Sequence, residues 1–281
     1  MNNHRSRLSA AAFFVLLGTF CVPPSTFDVS ARVHAQAPAV QAAAPATAGS
    51  ARLWDGRNEA YETFIRAADI DRFEDVPIGV THPRRAYFKP DGLVASVAWK
   101  NIPPGRPNGF WESYKSEIAA YELDKLLDLR MVPVAVEKKW KGETAAAILW
   151  LKPIHPWKEM EPKPKPETWA RQVVRMKMFD NLIGNPDRNA GNLMVDDAWN
   201  LFLIDHSRAF VGTNALPFKM EHVDRPFWDR MLALDEPALA GALGKWLDKS
   251  TIRAILSRRD KMKSTIDALV KKNGEAAVFI Q

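Results

Sequence analysis

Gly184-Asn185-Pro186-Asp187-Arg188-Asn189-Ala190-Gly191-Asn192, followed by Leu201-Phe202-Leu203-Ile204-Asp205, is the stretch from which the rest of the chain can be read. Before it, Glu167 to Ile183 has helical composition, and Gly184 is placed to end that helix. After it, Leu193–Val195 and Leu201–Ile204 read as two short strands around Asp196-Asp197-Ala198-Trp199-Asn200. The polar residues therefore lie on a loop held between rigid elements. If the turn spans Asp197 to Asn200, residues 196 and 201 pair and Asn192 falls opposite Asp205. Opposed positions have Cβ atoms roughly 4.5–5.5 Å apart. At that spacing an amide oxygen and a carboxylate can share a hard divalent cation such as Mg²⁺. Asp187 lies on the rim of the same loop. Metal ligands that neutralise phosphate charge, beside a carboxylate that orients an attacking hydroxyl, form a phosphoryl-transfer layout.

Upstream, Glu59 to Ala67 has helical spacing. Val76–Val80, Arg85–Phe88 and Leu93–Trp99 read as strands, with Pro90-Asp91-Gly92 as a turn. Tyr114 to Leu127 is predicted as a helix from Ile118, Tyr121, Leu126 and Leu127. Val132–Val136 and Ala145–Leu151 flank Lys141-Gly142-Glu143 as a hairpin. Pro162-Lys163-Pro164-Lys165-Pro166 then interrupts regular structure and marks a boundary. A β-rich part over residues 53–160 and a mostly helical part over 161–281 make an α+β, two-lobed plan.

These residues carry a family resemblance. Asp187-Arg188 with Asn192 four residues further on, then Leu203-Ile204-Asp205 and Arg208-Ala209-Phe210, resembles the catalytic loop and metal-binding motif of the atypical kinase superfamily. That superfamily includes phosphatidylinositol 3- and 4-kinases, HipA-type bacterial kinases and secretory-pathway casein kinases. The resemblance implies a protein-kinase-like fold, with Asp187 as catalytic base and Asn192 and Asp205 as metal ligands. Ser116 to Asp124 resembles the helix whose glutamate pairs with the nucleotide-binding lysine. Glu117 is the match, with Glu112 and Glu122 as alternatives, and Lys100 at the end of Val97-Ala98-Trp99-Lys100 is the lysine. Ile148, Leu149, Trp150 and Leu151 would form the hinge beside adenine. The implied ligands are ATP with Mg²⁺ or Mn²⁺, and the acceptor a protein or lipid hydroxyl. The sequence differs from the family pattern at Asn189, often His, and at His206-Ser207 after Asp205. Gly79 alone stands in Pro77-Ile78-Gly79-Val80-Thr81, where a phosphate-cradling loop is expected.

Other function classes fit less well. The net charge is +6, but Lys and Arg are scattered among acids, without the basic, aromatic-interleaved stripe of a nucleic-acid binder. A catalytically dead binding module with this fold, or a small-molecule phosphotransferase, are the alternatives. With 47% hydrophobic residues the chain can bury a core without disulfides. Arg5 and Arg7 precede an apolar run from Leu8 to Val22, which is short for a membrane span and suits a signal peptide. Cleavage is expected after Ala35, giving a bacterial exported protein, periplasmic or extracellular, with no stable transmembrane span. The alternative is an uncleaved membrane anchor. Cys21, the only cysteine, would be removed. Residues 36–52, rich in Ala and Pro, read as a tether.

Overall fold

The computed structural model describes residues 50–77, 83–107 and 109–280, all within the compact unit Ala43–Gln281. The expected signal segment, most of the tether, and Gly79 with its loop lie outside the described residues.

The chain enters as a strap. Ala51 N donates to Asp196 Oδ2 (2.8 Å), and Trp54 is buried against Phe202. Helix α1 (Asn58–Ala67) follows, with Tyr61, Glu62 and Ile65 turned inward at helical spacing. Strands β1 (Ile70–Asp75), β2 (Arg84–Phe88) and β3 (Ser96–Lys100) then precede helix α2 (Tyr114–Leu127). Strands β4 (Ala135–Trp140) and β5 (Glu143–Leu149) complete an antiparallel sheet of order β1-β2-β3-β5-β4. Lys141 and Gly142 connect β4 to β5 with φ 45° and 87°, as a two-residue turn with both positions left-handed requires. One expected strand is displaced. Val76 and Pro77 are not in a strand, and the edge strand is instead Ile70–Asp75, whose charged sequence (Ile-Asp-Arg-Phe-Glu-Asp) hides its alternation. Pro77, which lacks an N–H to donate, falls after it.

The register sets the faces. Lys100 pairs with Ala146, Ala98 with Ile148, and Arg85 with Ala98. Period-two alternation therefore puts Arg85, Ala98, Lys100, Ala146 and Ile148 on one face. Val97, Trp99, Ala147 and Leu149 line the other, where α1 packs and Lys138 donates to Arg66 O (3.0 Å). Helix α2 is buried on almost every side because it lies between this sheet and the helices that follow. Its apolar stripe is correspondingly indistinct, while Ser113 caps its start by accepting from Lys115 N (3.0 Å).

After β5 come β6 (His155–Pro156) and α3 (Trp157–Met160), ahead of the proline-rich stretch, and then α4 (Thr168–Ile183), which ends at Gly184 with φ 61°. A short 3-10 turn (Ala190–Asn192) leads into β7 (Leu193–Val195) and β8 (Leu201–Leu203), which form a small sheet of order β6-β7-β8. Strand β9 (Val223–Asp224), α5 (Arg225–Leu232), α6 (Glu236–Leu243), α7 (Lys249–Asn273), α8 (Glu275–Val278) and β10 (Phe279–Ile280) close the chain. Arg258 of α7 is fully buried and donates to Leu182 O, Val211 O and Thr213 O. Burial pulls its guanidinium down to about 10. It bolts the long helix to the two chain segments that carry the polar loop. Among the described residues no helix is long and apolar enough to cross a membrane.

Candidate functional site

Lys100, at the end of β3, is buried between two carboxylates from different elements. Its Nζ donates to Glu117 Oε1 (2.7 Å) and to Asp205 Oδ1 (2.7 Å). Burial alone would lower the ammonium's pKa, but the two carboxylates outweigh it and hold the pKa above its ordinary value. Glu117 sits in the first turn of α2. Burial opposes its charge, yet Lys100 and the contact with His206 keep its carboxyl well below the usual range. Its second oxygen accepts from His206 N (3.0 Å). The start of α2 is fixed to the segment after Asp205 by Ser113 N donating to Ser207 O (2.9 Å) and Ser116 Oγ to Ala209 O (3.2 Å). Glu112 and Glu122 have other partners. Glu112 accepts from Arg208 Nε (3.1 Å), and Glu122 pairs with Lys125 (2.9 Å).

The polar loop is organised around Arg188, whose side chain is almost wholly buried. Its guanidinium holds Asp180 through both oxygens (Nε to Oδ2 2.9 Å, a terminal nitrogen to Oδ1 3.1 Å). It also donates to Asn192 O (3.0 Å), Ile204 O (2.6 Å) and His206 Nε2 (2.9 Å). An Arg can only donate, so His206 Nε2 accepts and the ring is neutral. Burial, which lowers the pKa of His206, agrees. Asn185 Nδ2 donates to Asp180 Oδ1 (3.0 Å), and Asn185 Oδ1 accepts from Asp187 N (3.1 Å). The loop that carries Asp187 is thus clamped at both ends. The Asp187 carboxylate is partly exposed, with one oxygen 3.2 Å from Arg208.

The expected strand register is wrong by one residue. Leu193 pairs with Leu203, Met194 with Phe202 and Val195 with Leu201, and Ile204 N donates to Asn192 O (3.3 Å). Asn192 therefore stands opposite Ile204, not Asp205. The cause is the turn, which uses three residues rather than four. Asp196 N donates to Asn200 O across it, and Trp199 takes a left-handed φ of 59°. A one-residue slip would send Asp205 to the opposite face of a regular strand. Asp205 instead leaves the strand with φ 62°, so strand alternation does not set the direction of its side chain, which meets Lys100.

Asn192 Nδ2 donates to Asp187 O (3.0 Å), which orients its amide and leaves Oδ1 without a protein donor among the described residues. Asp205 Oδ1 is taken by Lys100 and by Ser207 Oγ (3.2 Å). Among the described residues, no group of three or more His, Cys, Asp or Glu is gathered to hold a metal alone. One amide oxygen and one carboxylate still fit an ion that takes its remaining oxygens from phosphate and water, as Mg²⁺ does. Ile148 and Leu149 end the interior strand β5, and Trp150 N donates to Ser96 O (3.2 Å), so residues 148–151 lead out of the sheet beside the start of β3.

Asp180 is not part of any motif read from the sequence, and Arg188, His206 and Arg208, though they fall within or beside the quoted motifs, are given no catalytic or ligand role there. The available signal was weak: Asp180 and Asn181 are polar residues inside an otherwise buried helix end.

Residues 95–271 match the family described as phosphatidylinositol 3- and 4-kinase. The fold is similar to the crystal structure of the Golgi casein kinase with Mn/ADP bound, at a TM-score of 0.60 and 15% identity, over 80% of this chain and 79% of that one. It is also similar to the structure of hydra Fam20 with sugar, at a TM-score of 0.60 and 17% identity, over 78% of this chain and 90% of that one. At these identities the likeness is one of fold, and the fold is two-lobed and kinase-like. No curated protein matches the chain.

Proposed function

The chain belongs to the phosphatidylinositol 3- and 4-kinase family and is a kinase-like phosphotransferase, and on that basis we propose that it moves the γ-phosphate of ATP to a hydroxyl on a protein or lipid in a metal-dependent reaction. The observation that carries this reading is Lys100 held 2.7 Å from both Glu117 and Asp205. A buried, fully charged lysine at that position offers a fixed cation to nucleotide phosphates. Asn192 and Asp205 would hold Mg²⁺ or Mn²⁺, which when bound neutralises phosphate charge. Asp187 would accept the proton of the attacking hydroxyl as the oxygen–phosphorus bond forms and the bond to the leaving diphosphate breaks. Residues 148–151 would flank the base. The nucleotide would lie between a lobe over 53–160 and a lobe over 161–281. Arg5 and Arg7 ahead of the apolar run Leu8–Val22 support an exported location, with the chain beginning near Gln36 after cleavage.

A second reading, a nucleotide-binding module that transfers nothing, draws on the 3.2 Å contact of Arg208 with Asp187, which occupies one oxygen of the proposed base. Labelling with γ-labelled ATP separates the two. Transfer, to the chain itself or to an added acceptor, is expected in wild type. It should fall by roughly 10²–10⁴-fold in Asp187→Asn while nucleotide affinity stays near normal. Equal labelling of both proteins removes Asp187 from the role. Tight nucleotide binding with no labelling in either favours the binding module.

A further inference from the structure

The sheet face that carries Lys100 also carries a second cation, Arg85. Arg84 and Arg85 are neighbours on β2 but point to opposite faces. Arg84 pairs with Glu143 and is thereby neutralised. Arg85 has no carboxylate partner among the described residues. Three contacts hold its guanidinium in place. Its Nε donates to Ser96 Oγ (2.9 Å), and its carbon lies 4.4 Å from the ring centroid of Trp150 and 4.6 Å from that of Tyr87. Its two terminal nitrogens have no protein acceptor among the described residues. The result is an immobilised planar fork with its donors unused.

The position of the fork decides what it can meet. Arg85 is registered with Ala98, two residues before Lys100 on the same face, and its guanidinium leans toward Trp150 in the expected hinge. Two residues along a strand are about 7 Å. A nucleotide with its phosphates at Lys100 would therefore present its base end, not its phosphates, to Arg85. At that end a fork of N–H donors discriminates. Guanine shows two adjacent acceptors, O6 and N7, which Arg bonds in bidentate fashion. Adenine shows N7 beside the N6 amino group, which is a donor and faces Arg unfavourably.

We propose that Arg85 reads the edge of the nucleotide base and favours guanine, so that this site takes GTP as well as ATP as phosphoryl donor. This rests on the nucleotide site proposed above, with phosphates at Lys100 and base at residues 148–151. Trp150 and Tyr87 act as positioning residues, since they fix the plane of the fork.

The test measures the affinities of ATP and GTP, each with Mg²⁺, for wild type and Arg85→Leu, which keeps apolar bulk between the two rings. The variant should lose GTP affinity by roughly ten- to a hundredfold more than ATP affinity, the worth of one bidentate base contact. Arg85→Lys keeps the charge but not the fork and should lose most of the same preference. If ATP and GTP weaken equally in Arg85→Leu, the arginine holds a part shared by both nucleotides and base reading is wrong. If neither changes while wild type binds both, Arg85 does not touch the nucleotide and the inference fails, with the proposed site intact. If wild type binds neither, the proposed site fails and the inference with it. Unchanged circular dichroism and melting temperature exclude misfolding as the cause of any loss.

Discussion

Replacing Arg188 by Met tests whether the polar loop is held from within the protein. The wild-type side chain is 1% exposed and its partner Asp180 is 0% exposed, so the pair is shielded from water. The substitution removes both bonds to Asp180 and leaves that carboxylate with Asn185 Nδ2 as its remaining side-chain donor. It also removes the Arg188 donor from the Asn192 and Ile204 carbonyls and from His206 Nε2. Breaking a buried pair from one side costs about 3–5 kcal/mol, chiefly because an uncompensated charge is left behind. At about 2–4 °C per kcal/mol for a domain of this size, the midpoint of thermal unfolding should fall by roughly 6–20 °C. The double variant Asp180→Leu with Arg188→Met should recover a large part of that loss, since no orphaned charge remains. Circular dichroism melts of the wild type, both single variants and the double variant complete the cycle. A midpoint within about 2 °C of wild type in Arg188→Met, or a double variant as unstable as the sum of the singles, refutes the reasoning.

Gly184→Ala should lower stability by about 1–2 kcal/mol, because φ is 61° there and a Cβ would lie 3.0–3.1 Å from the Arg258 guanidinium; an unchanged urea midpoint contradicts this. Asp124 accepts backbone bonds from Arg130, Met131 and Val132, but burial, outweighing them, raises its pKa to about 6. The folded value lies above the unfolded one, so its stabilising contribution is fullest below about pH 4 and is lost as pH rises through about 6. The stability difference between wild type and Asp124→Asn, from urea melts, should therefore shift against wild type between pH 4.5 and 6.5; a shift in its favour contradicts the assignment. Glu117→Gln weakens the charge partner of Lys100 and the acceptor for His206 N, and should reduce ATP affinity several-fold in calorimetry; unchanged affinity removes Glu117 from the site.

Much of this arrangement is legible in the sequence because local rules suffice for it. Helix α2 keeps the expected bounds Tyr114–Leu127, and α4 ends at the glycine that a left-handed cap requires. What failed depended on details that composition does not encode. Trp199, a bulky residue, takes the left-handed turn position where glycine is the usual signal, and this shortens the turn and shifts the register by one. Strand β1 is hidden by its charges. Arg188 and Arg258 look like surface residues in sequence, yet each is buried among acceptors brought together only by the fold: Asp180, His206 and two main-chain carbonyls for Arg188, and three main-chain carbonyls for Arg258. The end of the tether, residues 50–52, reads as linker by composition, but Ala51 is buried and held by Asp196.

Titration of ATP into the chain by calorimetry, with and without Mg²⁺ or Mn²⁺, tests the central claim most directly. Lys100, Asn192 and Asp205 as a phosphate-and-metal site predict binding that depends on the ion, and that Asp205→Ala abolishes while its melting temperature stays near wild type. Binding of equal strength without the ion, or in Asp205→Ala, contradicts the account.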